Sequence, residues 1–236
     1  MQTPDPFAVA IIVAAGRGVR FGATPKVLAP LGGKPVVSYA IEAAHRARSI
    51  EAVVLVTSQS LMPRVEALVH EHSFPKLHAI VAGGELRQDS VAAGLAAVPP
   101  GTSLVAIHDA ARPLVSASLL DACVAAAAEH GAAIAAIPVV DTLKRVESGR
   151  IVQTIPREGV WAAQTPQAFQ LSRLLEAFHH ASAQRLIVTD EAALFEALGW
   201  PVAVVEGSRL NLKITTADDL PIAEALLRLH IHETTR

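Results

Sequence analysis

The feature that most constrains this chain is an unbroken apolar run, Ala8 to Ala15, which leads directly into a glycine-rich loop. A run of this length without polar alternation is typical of a central parallel strand that is buried on both faces. The loop behind it, residues 16–26, holds three glycines and three cations. Glycines let backbone N–H groups approach an anion closely, and the cations add full positive charges. The segment therefore predicts a strand followed by a site for a ligand with several phosphates.

Two common phosphate-binding loops do not match this segment. The dinucleotide fingerprint G-x-G-x-x-G requires a glycine where Phe21 stands, and an acidic residue after the second strand, where Thr57 and Ser58 stand. The Walker A loop requires a glycine followed by Lys-Ser or Lys-Thr, which occurs nowhere in the chain. A plain strand-to-helix turn with solvated charges remains the alternative for this loop taken alone.

Composition limits the class of partner. The 236 residues are enough to bury a sizeable core, and the formal charge of −2 leaves no electrostatic footprint for nucleic acid, so a polyanion site must be local. A single cysteine, Cys123, excludes a disulfide framework and fits a reducing cytoplasm. The N-terminus lacks the features of a signal peptide, and no apolar run approaches the ~20 residues that span a bilayer. We expect a cytoplasmic protein without nucleic-acid or membrane partners.

The first part of the chain alternates strand and helix patterns, which predicts an α/β fold with a Rossmann-like, mainly parallel sheet and helices on both faces. Ligands bind such sheets beyond the carboxyl ends of the strands. The loops after the first, third and fourth strands, residues 16–26, 83–90 and 108–113, are therefore expected to share one site. The predicted strands are 8–15, 53–57, 77–82, 103–107 and 132–137, and the predicted helices between them are 35–47, one beginning near Pro63, 91–98 and 118–130.

The alternation stops at Pro138, and residues 139–162 predict a hairpin-like β-arm that protrudes from a single domain, residues 1–236. A two-stranded ribbon is marginal alone, so a second copy of the chain is a natural packing partner. After the arm, the sequence predicts a loop at 164–169, helices at 172–183 and from Thr189, a strand at 202–205, and a final helix that begins at a capping box formed by Thr216 and Asp219.

Asp109 follows the fourth strand, where a carboxylate could hold Mg²⁺ against phosphate oxygens or orient an incoming group. Arg112 is close enough in sequence to reach the same anions. The alternative is that Asp109 caps the next segment and Arg112 pairs with a surface acid. For Asp89 a helix-capping role is favoured, whereas Ser90 and the backbone of residues 83–84 could hydrogen-bond a base edge.

Taken together, these motifs resemble the 2-C-methyl-D-erythritol 4-phosphate cytidylyltransferases of the non-mevalonate isoprenoid pathway. Each motif alone is weak, but together and in this order they are specific, and they run from about Val9 to the final helix. The resemblance rests on Ala14-Ala15-Gly16-x-Gly18-x-Arg20-Phe21-Gly22, Pro25-Lys26, Gly83-Gly84-x-x-Arg87-x-Asp89-Ser90-Val91, His108-Asp109-Ala110-Ala111-Arg112-Pro113, Asp141-Thr142-x-Lys144, Trp161-x-x-Gln164-Thr165-Pro166-Gln167, Thr189-Asp190-Glu191 and Asn211-x-Lys213-Ile214-Thr215.

The resemblance implies a nucleotidyltransferase fold, CTP as co-substrate, a sugar-alcohol phosphate as acceptor, Mg²⁺ as cofactor and a homodimer formed through the arm. It also assigns roles to residues of this sequence. The implied catalytic residues are Arg20, Lys26, Asp109 and Lys213, with Asp109 also the metal ligand. The implied CTP-binding residues are Ala14, Ala15, Gly16, Gly18, Gly84, Glu85, Ser90 and Ala110. The implied acceptor-binding residues are Arg112, Thr142, Arg157, Thr189 and Lys213, with Thr142 and Arg157 reaching from the partner subunit.

The sequence departs from the family pattern at one point. Lys26 is followed by Val27-Leu28, where the family more often has Gln and an aromatic residue, and this difference affects the packing beside Lys26. Two alternatives remain open at this point. One is a cytidylyltransferase for another polyol phosphate, such as ribitol 5-phosphate. The other is a nucleotide-binding module without catalytic activity.

Overall fold

The computed structural model describes residues 7–16, 21 and 25–234, and a seven-stranded sheet organises them in the order β11-β7-β10-β6-β1-β4-β5. The predicted α/β fold with a mainly parallel sheet is confirmed, since only β10 runs against its neighbours. The strands are β1 (Ala8–Ala14), β2 (Pro30–Leu31), β3 (Lys34–Pro35), β4 (Ile50–Thr57), β5 (Leu77–Ala82), β6 (Leu104–Asp109), β7 (Ala132–Pro138), β8 (Leu143–Glu147), β9 (Arg150–Ile155), β10 (Trp161–Gln170) and β11 (Ala203–Glu206). The helices are α1 (Val36–Arg46), α2 (Met62–His72), α3 (Arg87–Ala96), α4 (Ala117–His130), α5 (Leu171–Gln184), α6 (Ala192–Ala197) and α7 (Asp219–Thr234).

Strand β1 lies between β4 and β6 and is parallel to both, so its backbone is hydrogen-bonded on two sides. Its side chains alternate between two cores. Ala10 and Ile12 pack in the cluster beneath α1, α2 and α4, whereas Val9 and Ile11 pack in the cluster beneath α3, α5 and α6. Because both faces are covered by helices, the strand reads as one apolar run without alternation.

The prediction of a loop at residues 164–169 is wrong. These residues belong to β10, which lies between β6 and β7 and is antiparallel to both. The polar composition suggested a loop, but Gln164, Thr165 and Gln167 are all buried and hydrogen-bonded. The pairing of β10 with β7 shifts register between Ala163 and Gln167, which leaves Gln164 and Thr165 at the sheet edge near the end of β6. A buried polar residue with partners costs little, so polarity alone misidentifies such a strand.

Two helix starts also differ from prediction. Helix α3 begins at Arg87 rather than Val91, so Ser90 lies within the helix. Helix α6 begins at Ala192 rather than Thr189, and Asp190 accepts a hydrogen bond from the Ala193 N–H at 3.3 Å. The predicted arm contains β8 and β9, which form an antiparallel pair separate from the main sheet. Over the described residues, no helix is both long and apolar enough to cross a bilayer.

Candidate active site

A cleft of about 700 Å³ opens at the carboxyl ends of β1, β5 and β6, where the sequence predicted a shared site. It brings together segments that are far apart in the chain: the end of β1, the start of α3, the end of β6 and the segment before α7. The predicted site residues that line it are Ala14, Ala15, Gly16, Lys26, Gly84, Glu85, Ser90, Asp109 and Lys213. Arg20 and Gly18 lie outside the described residues.

The β5–α3 connection forms one wall of the cleft by close packing. A Cβ atom at Gly83 would lie 2.5 Å from Ser90 Oγ and 2.6 Å from Ala15 Cβ, so only glycine lets these segments approach. The Gly83 N–H donates to the Thr57 carbonyl at 2.8 Å, and the Asp89 carboxylate accepts from the Leu86 N–H at 3.1 Å. Asp89 therefore stabilises the start of α3, as its predicted capping role requires, and the adjacent backbone faces the cleft.

Lys26 also lines the cleft, and it is the first residue of a short 3₁₀ helix, Lys26–Leu28. Val27 is only 4% exposed and belongs to the core beneath α1, and Leu28 packs against the same core. Val27 and Leu28, which differ from the residues usual in the family, therefore anchor the backbone beside Lys26 in the core, and Lys26 lines the cleft.

Asp109, at the last position of β6, lies between two cations. Its Oδ1 accepts from Arg87 Nε at 3.2 Å and its Oδ2 accepts from Lys213 Nζ at 2.5 Å. Burial alone would raise the pKa of Asp109, but Arg87 and Lys213 hold that pKa well below its ordinary value. The Asp109 carboxylate is therefore ionised at neutral pH and ties two separate segments to the sheet edge.

A second cavity of about 170 Å³ adjoins this carboxylate and shares Arg87, Asp109 and Lys213 with the larger cleft. It also contains Arg112 and Thr189, both implied acceptor-binding residues. Arg112 Nη1 donates to the Asn211 carbonyl at 2.8 Å, a contact that fixes the guanidinium beside the Lys213 segment. Two neighbouring cavities thus have one set of charged side chains in common.

Some implied site residues are elsewhere. Ala110 is fully buried, its N–H donates to the Val13 carbonyl, and it lines neither cavity; its neighbour Ala111 forms part of the cleft wall instead. Thr142 and Arg157 are exposed on the arm and line neither cavity within this one chain. Arg157 Nη1 contacts the Val140 carbonyl at the base of the arm.

Sequence reasoning missed a buried polar network that supports Asp109. Thr165 Oγ1 accepts from the Asp109 N–H at 3.0 Å and lies 3.1 Å from His108 Nδ1, while His108 Nε2 lies 3.1 Å from the Arg112 carbonyl. A carbonyl only accepts, so His108 Nε2 carries the proton and Nδ1 accepts from the Thr165 hydroxyl. Burial lowers the pKa of His108 to about 4, which keeps the imidazole neutral.

Sequence reasoning also gave no role to Arg87 or to the burial of Glu191. Both residues appeared only as motif positions. In the fold Arg87 Nη1 donates to both Glu191 carboxylate oxygens, at 2.7 and 2.8 Å. Neither residue has a distinctive local pattern, because their contact joins α3 to the start of α6 across about a hundred residues of chain.

Comparison with known proteins identifies the family of this chain. Residues 8–229 match the family model described as 2-C-methyl-D-erythritol 4-phosphate cytidylyltransferase (IspD). A protein of that name from Synechococcus sp. is 44% identical over 220 residues, covering 92% of this chain and 95% of the relative.

Solved structures agree as well. The 4-diphosphocytidyl-2C-methyl-D-erythritol synthase of Anaerococcus prevotii is similar with a TM-score of 0.83 and 30% identity, over 95% of this chain and 97% of that one. The 2-C-methyl-D-erythritol 4-phosphate cytidylyltransferase of Thermus thermophilus gives a TM-score of 0.77 and 34% identity, over 92% and 98% of the two chains. The chain therefore belongs to the 2-C-methyl-D-erythritol 4-phosphate cytidylyltransferase family.

Proposed function

We propose that this chain carries out its family's reaction with CTP in the 700 Å³ cleft and the acceptor phosphate in the adjoining 170 Å³ cavity. The reaction transfers the cytidylyl group of CTP to 2-C-methyl-D-erythritol 4-phosphate and gives 4-diphosphocytidyl-2-C-methyl-D-erythritol and pyrophosphate. The observation that carries the proposal is the shared boundary of the two cavities, where Arg87, Asp109 and Lys213 line both. Two phosphorylated reactants must meet at such a boundary.

The chemical problem at that boundary is charge. An ionised oxygen of the acceptor phosphate attacks the α-phosphorus of CTP; a new O–P bond forms while the bond to the departing pyrophosphate breaks. No proton has to be removed, so a general base is not needed. We assign to Lys26 and Lys213, which line the cleft, the role of countering the negative charge on both reactants and at the reacting phosphorus, and to Arg20 the same role by analogy to the family.

Asp109 fits a role in holding Mg²⁺. Among the described residues no group of three or more His, Cys, Asp or Glu side chains is arranged to hold a metal ion, so the protein builds no complete cage. Mg²⁺ is commonly bound by one or two carboxylates together with substrate phosphates, and Asp109 is an ionised carboxylate at the cleft edge. Bound there with CTP, the ion would neutralise phosphate charge. Asp109 would release at least one of its two cation contacts on binding it.

The arm supports the proposal of a homodimer. Strands β8 and β9 pair with each other, and the arm region exposes large apolar side chains. These are Val140, Val146, Ile151, Val152 and Trp161, each between 44% and 65% exposed. A two-stranded ribbon with such a surface is stabilised by packing against another body. A second copy would bring Thr142 and Arg157 to a cavity that they do not reach within their own chain.

The test is to incubate the protein with CTP, Mg²⁺ and each of a panel of acceptors, and to measure pyrophosphate release. We expect release with 2-C-methyl-D-erythritol 4-phosphate, and a much lower kcat/KM with ribitol 5-phosphate and other polyol phosphates. Equal kcat/KM for ribitol 5-phosphate would favour the alternative acceptor. Stabilisation by CTP without pyrophosphate release from any acceptor would favour a non-catalytic binding module.

A further inference from the structure

Glu191 is a buried acid that neither cavity contains. Its side chain is 1% exposed, at the residue before α6, and it is not part of the lining of either cavity. An ionised carboxylate in such a place is costly unless it is paired and hydrogen-bonded. Both of its oxygens accept from Arg87 Nη1, so Glu191 pairs with one of the three residues that border both cavities.

Arg87 contacts two carboxylates through different nitrogens. Its Nη1 is held by Glu191, and its Nε donates to Asp109 Oδ1 at 3.2 Å. The guanidinium group is planar and rigid, so fixing one edge against Glu191 fixes the direction in which the other edge meets Asp109. Asp109 is also held by Lys213, whose Nζ donates to Asp109 Oδ2 at 2.5 Å.

The charges of the four side chains in these contacts also sum to zero. Arg87 and Lys213 carry positive charges, and Asp109 and Glu191 carry negative ones. Without Glu191, two cations would face the single carboxylate of Asp109, and the guanidinium would be free to turn fully toward it. Asp109 would then be drawn toward Arg87 and away from Lys213.

We propose that Glu191 is a positioning residue that acts through Arg87, holding the guanidinium so that Asp109 and Lys213 stand between the two reactants. The inference rests on the proposed roles of Asp109 and Lys213 and extends them to a residue that touches neither reactant. It explains why a buried acid that lines neither cavity is in contact with Arg87, which borders both.

The test is Glu191→Gln, which keeps the side-chain shape and removes the charge. Turnover is expressed per CTP-binding site counted by calorimetry, so that a smaller folded fraction does not imitate a catalytic defect. We expect kcat to fall about 10- to 100-fold, because small misplacements of reacting groups have effects of this size. The KM for CTP should stay within about threefold, because the Gly83–Ser90 contact and the Asp89–Leu86 hydrogen bond that shape the β5–α3 wall do not involve Glu191. Glu196→Gln, at an exposed acid of the helix that follows Glu191, is the matched control and should retain wild-type kinetics.

A double-mutant cycle separates action through Arg87 from an independent effect. If Glu191 acts through Arg87, the Arg87→Gln/Glu191→Gln variant should turn over no more slowly than Arg87→Gln alone. The double variant leaves no buried unpaired charge, so its kcat can be compared with that of the wild type even where a single variant does not fold, and an unchanged kcat would then contradict the inference. Wild-type kcat for Glu191→Gln, a rise in KM for CTP that accounts for the whole defect, or a further loss in the Arg87→Gln background would overturn the inference.

Asp109→Asn distinguishes failure of this inference from failure of the proposed site. If Asp109→Asn is inactive while Glu191→Gln is normal, only the role of Glu191 is wrong. If Asp109→Asn keeps wild-type turnover, the proposed role of Asp109 is wrong and the positioning of Asp109 has no catalytic consequence.

Discussion

At the scale of single residues, the site depends on charges placed where water is scarce. Asp109 is mostly buried and yet ionised, because Arg87 and Lys213 more than offset the cost of burial. Such a carboxylate fixes the directions of the cations around it. Lys26, Arg87 and Lys213 outnumber the two acidic residues of the cleft lining, Glu85 and Asp109.

Removing one of these cations should damage turnover more than stability. We expect Lys213→Met to lower kcat by about 10²–10³, the size of effect seen when one transition-state contact is lost. Its side chain is 41% exposed, so the melting temperature should change little. Pyrophosphate release and thermal unfolding would check both expectations.

Lys34→Met is the matched control, because Lys34 is 44% exposed, forms one ion pair with Glu42 at 2.6 Å, and lines neither cavity. It should keep wild-type kcat. A Lys213→Met enzyme as active as this control would show that Lys213 does not act on the reaction.

The neutral His108 predicts a pH dependence of stability. The folded-state pKa of His108 is about 4, below the ordinary 6.5 of the unfolded chain, so the unfolded state binds the extra proton between these values. The free energy of unfolding should therefore fall as pH drops from 6.5 to 4, by about 3 kcal/mol from this residue. His108→Gln retains a donor and an acceptor without titrating, and urea unfolding at pH 7.5 and 4.5 should show a smaller acid loss. An equal loss in both proteins would contradict a buried neutral histidine.

At the scale of elements, β10 connects the sheet to the site. Its buried polar side chains pair with three different segments: the end of β6, the start of α6 and the segment before α7. Asn211 Nδ2 donates to Gln164 Oε1 at 3.1 Å and to the Thr165 carbonyl at 2.8 Å, and these bonds hold the chain just before Lys213. This strand therefore positions a cation that lies on no helix or strand.

Asn211→Ala should consequently affect both stability and catalysis. The substitution removes the side-chain donor of the buried Thr165 carbonyl and leaves Gln164 Oε1 with the Ser208 N–H at 3.3 Å, which costs about 1–3 kcal/mol in the free energy of unfolding. We also expect a lower kcat, since Lys213 loses its anchor. Denaturant unfolding and steady-state kinetics measure the two effects, with the exposed Gln184→Ala as a control of unchanged behaviour. Loss of stability at wild-type kcat would separate Asn211 from the positioning of Lys213.

The role that we propose for the arm requires a second chain. If Arg157 serves the partner's site, Lys26→Ala and Arg157→Ala should each be inactive as pure proteins, yet complement one another in mixed dimers. In a mixed dimer one site loses both residues and the other keeps both. Random mixing should therefore recover about one quarter of wild-type activity per subunit. No recovery despite proven subunit exchange would place Arg157 in its own chain's site, and a fully active monomer would exclude the dimer proposal.

At the scale of the whole molecule, the sequence predicts the sheet well and the site in part. The apolar run of β1 and the loops at strand ends predict that Lys26, Ser90 and Asp109 lie around one cleft, as they do, because parallel topology alone brings the carboxyl ends of strands together. The antiparallel β10 and the Arg87–Glu191 contact depend on pairings between distant segments. Their residues are polar, and polarity in a sequence indicates exposure until the buried partner is known.

The three charged side chains common to both cavities limit how the enzyme can change its choice of substrate. Any substitution of Arg87, Asp109 or Lys213 that favours a different sugar phosphate would alter the handling of the nucleotide as well. If the two cavities bind the reactants as proposed, new acceptor preferences in related enzymes should arise at Arg112, Thr189 or the arm, where a change leaves the larger cleft intact.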